Sequence, residues 1–333
     1  MSTLLAADIG GTKSELAIVE LGQPPNVPPI HSKRYRNSDF PDFDAILDDF
    51  LQNIPTPEYG CLAVAAVVHN GIAPLTNLSW ILREQELCDK FSFQKVTLIN
   101  DLTAICAGLP VLTEQDLLCL QQGEKTTNRV RAVIAPGTGL GEGFLLTGEN
   151  CFFPQGSEGG HCDFAPLNKE QEQLLSFMRK KFGVISYELL CSGLGIPNIF
   201  DFFATTDTPR ESTIFADIEQ ATDRTPPIVS GALAKKPCPL CQKTLSVFLE
   251  ILGAEAGNLA LKTYCSSGLF IGGGILPRIA SDVSFAPFLK AFRKKEKMEK
   301  LMASIPVHLI LKKDAALQGC IHFGQHLYHT GTQ

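Results

Sequence analysis

Two stretches of this chain, residues 6–21 and 134–149, share one plan: an apolar run, a glycine-rich turn with a threonine, and a returning run. The turns are Asp8-Ile9-Gly10-Gly11-Thr12 and Gly137-Thr138-Gly139-Leu140-Gly141. A strand that meets glycines and reverses at once is a hairpin, and its recurrence in the second half reads as a repeated unit. A third glycine run, Gly272-Gly273-Gly274, closes another apolar run at 268–271. Glycine lets the main chain approach a phosphate closely and accepts φ > 0. Successive N–H groups in such a turn form a concave anion site. Any one of the three is accounted for by a tight turn. All three following apolar strands point to nucleotide binding. There is no GxxxxGK[ST], and neither glycine turn reads as GxGxxG, which argues against a P-loop or dinucleotide-binding protein.

The 333 residues exceed what one hydrophobic core usually serves, so two lobes are expected. Apolar runs predict strands at 4–8, 13–21, 31–36, 61–68 and 96–99, with a proline-rich loop at 22–29. Helical periods mark 43–54 and 102–109, the latter stopped by Pro110. The second half reads as strands at 132–135 and 143–147, then helices at 169–190, 196–203, 213–221 and 241–264. Strands at 268–271 and 307–311 and a closing helix at 315–328 complete it. Two α/β lobes, each opened by a glycine-turned hairpin, would leave a cleft between them. The expected division is a small domain of 1–111 plus the C-terminal helix 314–333, and a large domain of 112–313.

Composition narrows the function classes. With 44% hydrophobic and 19% charged residues the chain is globular, not disordered. No apolar run approaches eighteen residues, and the start MSTLLAADIGGT lacks the basic stretch and cleavage site of a signal peptide, so neither membrane nor export is expected. Eleven cysteines, many in apolar surroundings, read as reduced residues of a cytoplasmic protein. Cys238 and Cys241 form the one CxxC pair, without a second ligand pair at zinc-finger spacing, and read as ordinary cysteines near a helix start. A net charge of −6 speaks against a nucleic-acid partner. The basic cluster at 293–300 is broken by glutamates and reads as a solvated helix face.

Polar residues at strand ends carry the candidate chemistry. Asn100-Asp101 stands where a buried strand meets a helix, the place where ligands collect in open α/β sheets. Asp101 reads either as a helix N-cap or as a general base that takes a proton from a hydroxyl. The segment 155–163 sets Glu158 and His161 around two glycines. Carboxylate and imidazole together suit the reading of sugar hydroxyls. A zinc site would need more ligands than His161 and Cys162. Asp8 has the hard oxygens that a hydrated Mg²⁺ prefers, and Thr12, Thr138 and Lys13 add donors and charge.

Taken in order, these residues resemble the bacterial glucokinases of the sugar-kinase and actin-like ATPase superfamily. The resemblance runs nearly end to end. It rests on DIGGT at 8–12, TNLSW at 76–80, LINDLTA at 98–104, APGTGLG at 135–141, EGGHCDFAP at 158–166, SYELLCSG at 186–193 and FIGGGILPR at 270–278. It implies an α/β, two-lobed actin-like ATPase (ribonuclease H-like) fold with an interdomain cleft, and transfer of the γ-phosphate of ATP to glucose. Carried over by motif, sugar binding falls on Asn100, Asp101, Glu158, His161 and Glu188, with Asp101 as base. The ATP-binding segment falls on Ala7, Asp8, Ile9, Gly10, Gly11 and Thr12, with phosphate contacts within Gly137–Gly141, at Gly137, Thr138 and Gly139. The residues themselves add Gly273, whose glycine run lets a flat nucleoside sit against the main chain. The resemblance further implies ATP with Mg²⁺, no protein-bound metal site, and a cytoplasmic homodimer. Without it, Glu188 reads as an exposed helix carboxylate.

The chain departs from the family pattern in three places. Lys13 stands where asparagine is usual, Val68-His69-Asn70-Gly71 replaces a proline-threonine-glycine turn, and Ser157 replaces part of a proline-glycine pair. The altered turn leaves open a kinase for another hexose, such as mannose or an N-acetylhexosamine. A catalytically silent sugar-binding regulator is the reading from another class, since a fold does not fix a function.

Overall fold

A computed structural model describes residues 2–24, 27–75, 78–124, 126–149, 151–209 and 212–329. Thr76 and Asn77 of the TNLSW motif, Pro25 in the proline-rich loop, and 330–333 of the expected C-terminal helix lie outside the described residues. Contacts divide the chain into two units: 1–116 with 149–156 and 312–333, and 117–148 with 157–311.

The first unit begins with β1 (Thr3–Ile9) and β2 (Lys13–Glu20), the hairpin expected around the first glycine turn. It continues with β3 (His31–Arg36), α1 (Phe43–Phe50), β4 (Tyr59–Val64), and a small hairpin of β5 (Ile72–Pro74) and β6 (Ile81–Arg83). Next come α2 (Glu84–Phe91), β7 (Lys95–Asn100) and α3 (Asp101–Gly108). The main sheet runs β3-β2-β1-β4-β7; β1, β4 and β7 are parallel, and β2 and β3 are antiparallel additions.

Both faces of this sheet are covered, which is why β1 and β4 read as continuous apolar runs rather than alternating ones. Leu5, Ala7, Ile9, Leu62 and Val64 pack with Phe43, Ile46, Phe50 and Leu87 on one face. Leu4, Ala6, Cys61 and Ala63 face the other way and meet Ala104, Leu317, Cys320 and Ile321. Leu317, Cys320 and Ile321 belong to the helix Ala315–His329 near the C-terminus. That helix crosses α3 closely: a Cβ at Gly319 would stand 1.7 Å from the Ala104 carbonyl oxygen.

In the second unit, β8 (Leu117–Gln121) precedes β9 (Val130–Pro136) and β10 (Leu140–Gly148), the hairpin around the second glycine turn. The strand β11 (Cys151–Ser157) follows, its residues 151–156 belonging to the first unit. Then come α4 (Lys169–Phe182), α5 (Gly195–Ala204), α6 (Ser212–Gln220), α7 (Thr225–Leu233) and α8 (Pro239–Thr263). After these lie β12 (Leu269–Ile271), α9 (Ala286–Arg293), α10 (Glu299–Ser304) and β13 (Val307–Ile310), with Ala315–His329 closing the chain as α11. Within this unit the strands lie in the order β10-β9-β12-β13-β8. The α8 helix is long and apolar enough to cross a bilayer, yet 78% of its apolar window is buried within the protein. Its Leu245, Phe248, Leu252, Ala256 and Leu259 fill the core beneath the sheet.

Several elements differ from the sequence reading. The 169–190 helix ends at Phe182, because Gly183 takes φ +74 and releases the chain into an extended and turning segment. Glu188 therefore stands on a turn, not a helix. The 43–54 helix ends at Phe50, with Asn53 at φ 64. The 61–68 strand stops at Val64. Val68-His69-Asn70-Gly71 leads into a two-residue turn, Asn70 and Gly71 both at positive φ, with His69 and Ile72 exchanging both backbone hydrogen bonds. The 293–300 cluster is not one solvated helix face. The α9 helix ends at Arg293, and Lys295 turns inward to the Ala254 carbonyl at 2.8 Å.

Candidate active site

Strand register builds the first-unit half of the site. Ile9 pairs with Val64 and Val64 with Asn100, so β1, β4 and β7 end in one row. The first glycine turn leaves the end of β1, and Asp101 leaves the end of β7. Asn100, not Asp101, caps α3: its Oδ1 accepts from Leu102 N–H at 2.9 Å, while its Nδ2 donates to the Ala66 carbonyl at 3.2 Å. Asp101 is the first helical residue, with Oδ1 also 2.9 Å from Leu102 N. The N-cap reading of Asp101 is thus corrected: Asn100 is the cap, and Asp101 is the first residue of the helix.

Asp8 stands at the same sheet edge. Burial first, then the charges of Asp101 and Glu15, push its carboxyl up to about 7 against the pull of Arg34. Arg34 itself is held by Glu15 through Nε at 3.0 Å. A hard cation beside Asp8 would relieve this crowding of acids, so the donor set fits Mg²⁺.

The first turn is shaped by a residue that the sequence did not reveal. Asn37 is buried, donates to the Gly10 carbonyl at 2.8 Å, and accepts from Ser14 Oγ at 2.8 Å. Its backbone N–H reaches Thr12 O at 3.0 Å. Gly10 N–H closes the turn on Lys13 O at 2.9 Å, and Gly11 and Thr12 N–H have no acceptor among the described residues. Ala7 and Ile9 have their side chains in the core, so any contact they make to a nucleotide is through the main chain.

The second unit assembles a separate group. Gly137 N–H donates to Gly139 O at 2.8 Å, and Gly193 N–H to Gly137 O at 2.8 Å. Leu140 N–H is taken by Glu188 Oε2 at 2.9 Å. A Cβ at Gly139 would lie 2.3 Å from that same oxygen, and one at Gly273, which sits at φ +82, 2.2 Å from Pro136 O. Thr138 and Gly139 N–H have no acceptor among the described residues. The other Glu188 oxygen lies 3.9 Å from His161 Nδ1, and Glu158 Oε2 lies 3.9 Å from His161 Nε2. His161 thus stands between two carboxylates. Glu158 and His161 have side chains 64% and 60% exposed, and Glu188 29%, so all three can meet a ligand from solvent. Glu188 both braces the glycine turn and faces His161; only its place within the motif marked it in the sequence.

Comparison with known proteins places the chain among relatives that share its sequence and fold. The family model described as glucokinase matches residues 5–327. A glucokinase of Nostoc sp. is 39% identical, over 96% of this chain and 98% of its own length. The crystal structure of a glucokinase from an Antarctic psychrotroph superposes with TM-score 0.80 at 29% identity, over 98% of this chain and 99% of that one. A ROK family glucokinase from Streptomyces griseus, solved in complex with glucose and AMPPNP, shares the fold at TM-score 0.63 and 16% identity, over 98% of this chain and 100% of that one.

Proposed function

The chain belongs to the glucokinase family, it phosphorylates glucose with ATP, and we propose that Asp101 is the base that readies the sugar 6-hydroxyl. What supports this most is the shared row of strand ends, Ile9, Val64 and Asn100, which brings Asp101 beside Asp8 and the first glycine turn. Phosphoryl transfer asks mainly for positioning and charge stabilisation, so few reactive groups are needed.

Asn100, Asp101, Glu158, His161 and Glu188 hold glucose by pairing its hydroxyls with carboxylate, amide and imidazole. A ligand hydroxyl missing from such a site leaves polar groups unpaired, which is how the site selects. Asp101 aligns the attacking oxygen and accepts its proton. The unclaimed N–H groups of Gly11, Thr12, Thr138 and Gly139 face phosphate oxygens, and Gly273 gives the nucleoside close access to the main chain. Asp8 holds Mg²⁺ through water, and the metal, when bound, offsets phosphate charge. A cytoplasmic homodimer belongs to the same reading and rests on family resemblance.

The test is a coupled ADP-release assay with glucose, fructose, mannose and glucosamine. Wild-type protein turns over glucose in preference to the others. Asp101→Ala lowers kcat by roughly 10²–10⁴-fold with a modest change in glucose affinity. Near-normal turnover in that variant overturns the base assignment, and a preference for another sugar overturns glucose.

A further inference from the structure

The second unit buries two carboxyl groups beneath the turn that carries Glu158 and His161, and the reaction above uses neither. Glu142 of β10 is 3% exposed and Glu255 of α8 is 0% exposed. Glu255 lies close enough for its charge to raise the Glu142 carboxyl. Glu142 Oε1 and Glu255 Oε1 are both buried without a hydrogen-bond partner among the described residues. Two carboxylates cannot face each other this way at low dielectric, whereas one shared proton satisfies both oxygens.

The surroundings decide which group holds that proton. Asn258 Nδ2 donates to Glu255 Oε2 at 2.8 Å and lies 3.1 Å from the Tyr187 hydroxyl. Lys262 Nζ is 3.9 Å from Glu255 Oε1. Lys295 adds a second cation near Glu255. Burial, then the charges of Glu255 and Glu142, push the Cys191 thiol well up. Burial raises the Glu255 carboxyl as well, but Asn258, Lys262 and Lys295 oppose that rise on the Glu255 side of the pair. Burial and the Glu255 charge push the Glu142 carboxyl up to about 8. Glu142 is therefore the protonated member near neutral pH.

The pair touches the turn directly. A Cβ at Gly159 would stand 2.0 Å from Glu142 Oε2, so the bare Cα of Gly159 rests on this carboxyl. Gly159 N–H reaches Ser157 Oγ at 3.3 Å, and that hydroxyl donates to the Glu142 carbonyl at 3.4 Å. Glu188 N–H donates to Gly160 O at 2.9 Å and Tyr187 N–H to Cys162 O at 3.0 Å. The segment bearing Glu158, His161 and Glu188 is thereby seated on Glu142 through Gly159 and linked to Glu255 through Tyr187 and the Asn258 amide.

We propose that Glu142 and Glu255 form a one-proton carboxyl pair that sets the position of the Glu158–His161 turn, making both of them positioning residues for sugar binding. This rests on the reading of that turn as sugar-binding. Loss of the proton places two like charges in contact under the turn and displaces it. Glucose KM therefore rises with alkaline pH while kcat changes less.

The experiment compares wild type, Glu142→Gln and Glu142→Ala from about pH 6.5 to 9, with KM and kcat for glucose measured separately. Wild-type KM rises at least about threefold from pH 7 to pH 9 as the pair ionises. Glu142→Gln, whose amide donates to Glu255 at every pH, keeps a KM near wild type at pH 7 and loses the alkaline rise. Glu142→Ala has a raised KM throughout. A spectroscopic control uses ¹³C-carboxyl-labelled glutamate: one resonance titrates at about 8 in wild type and is missing from Glu142→Gln. An alkaline rise in Glu142→Gln equal to that of wild type overturns the proposal, as does the absence of that resonance from wild type. His161→Ala in the same assay separates the two readings. If it leaves glucose KM unchanged, the sugar-binding turn and this proposal fall together. If it raises KM while Glu142→Gln tracks wild type, only the carboxyl pair is wrong.

Discussion

The two glycine turns share a local plan but not a mode of support. The first is held from the side by an amide, Asn37, and stands among acids, with Asp8, Glu15 and Asp101 close by. The second is held by an acid, Glu188, which takes Leu140 N–H, and is packed so tightly that Gly139 and Gly273 have no room for a methyl group. The first is thus an anionic site suited to a cation. The second is a sterically closed cradle in which a carboxylate is already engaged by a main-chain donor. One sequence pattern can serve two electrostatic roles, and the residues behind the turn decide which.

The contrast is sharpest in glycine-to-alanine variants. Gly139→Ala must displace Glu188, and a shift of about 1 Å in such a site costs on the order of 10²-fold in kcat/KM for ATP. At Gly10 the nearest atom to a new Cβ is Lys13 O at 3.3 Å, so Gly10→Ala needs only a small adjustment. Its effect is about tenfold or less. Equal losses in steady-state assays would show that the two cradles are equally closed.

Asn37→Ala tests the amide brace. It leaves the Gly10 carbonyl and Ser14 hydroxyl without their partner, at about 1–3 kcal/mol of stability. Urea unfolding measures this loss, and ATP KM rises with it. A variant as stable as wild type would remove Asn37 from the account.

The smallest effect concerns Asp8. Its folded carboxyl keeps a proton up to about 7, whereas the unfolded chain releases it near 3.8, so this group costs stability increasingly as pH rises between those values. Asp8→Asn raises Tm by a few degrees at about pH 8, with the gain fading towards about pH 4, while activity falls. A Tm gain that does not depend on pH would contradict the acidic character of the first turn.

Much of this was legible in the residues. Both hairpins, the buried parallel strands and the Asn100-Asp101 strand end follow from apolar runs meeting glycine or polar residues. What escaped has physical reasons. Asn37 follows an exposed edge strand, and its contacts to Gly10 and Ser14 bridge residues far apart in sequence. Glu142 lies just before the strand that the sequence predicts, and its burial depends on Gly159 and Glu255, which are distant in sequence. The 169–190 stretch keeps a helical period beyond Gly183, so periodicity sets Glu188 on a helix where the chain has already turned. The α7 and α9 helices begin with prolines, which mark a first turn as readily as a break.

The α11 helix sets a schedule for the molecule's birth. Leu4, Ala6, Cys61 and Ala63 are made early, yet the cover they share with Leu317, Cys320 and Ile321 leaves the ribosome only after the whole of the second unit. The first unit to be started is therefore the later one to be finished, reversing the usual N-to-C order of completion. A nascent chain halted before α11 would present a completed second unit and an N-terminal sheet covered on one side only in part, by α3, which makes that stage the point at which a chaperone would be most needed.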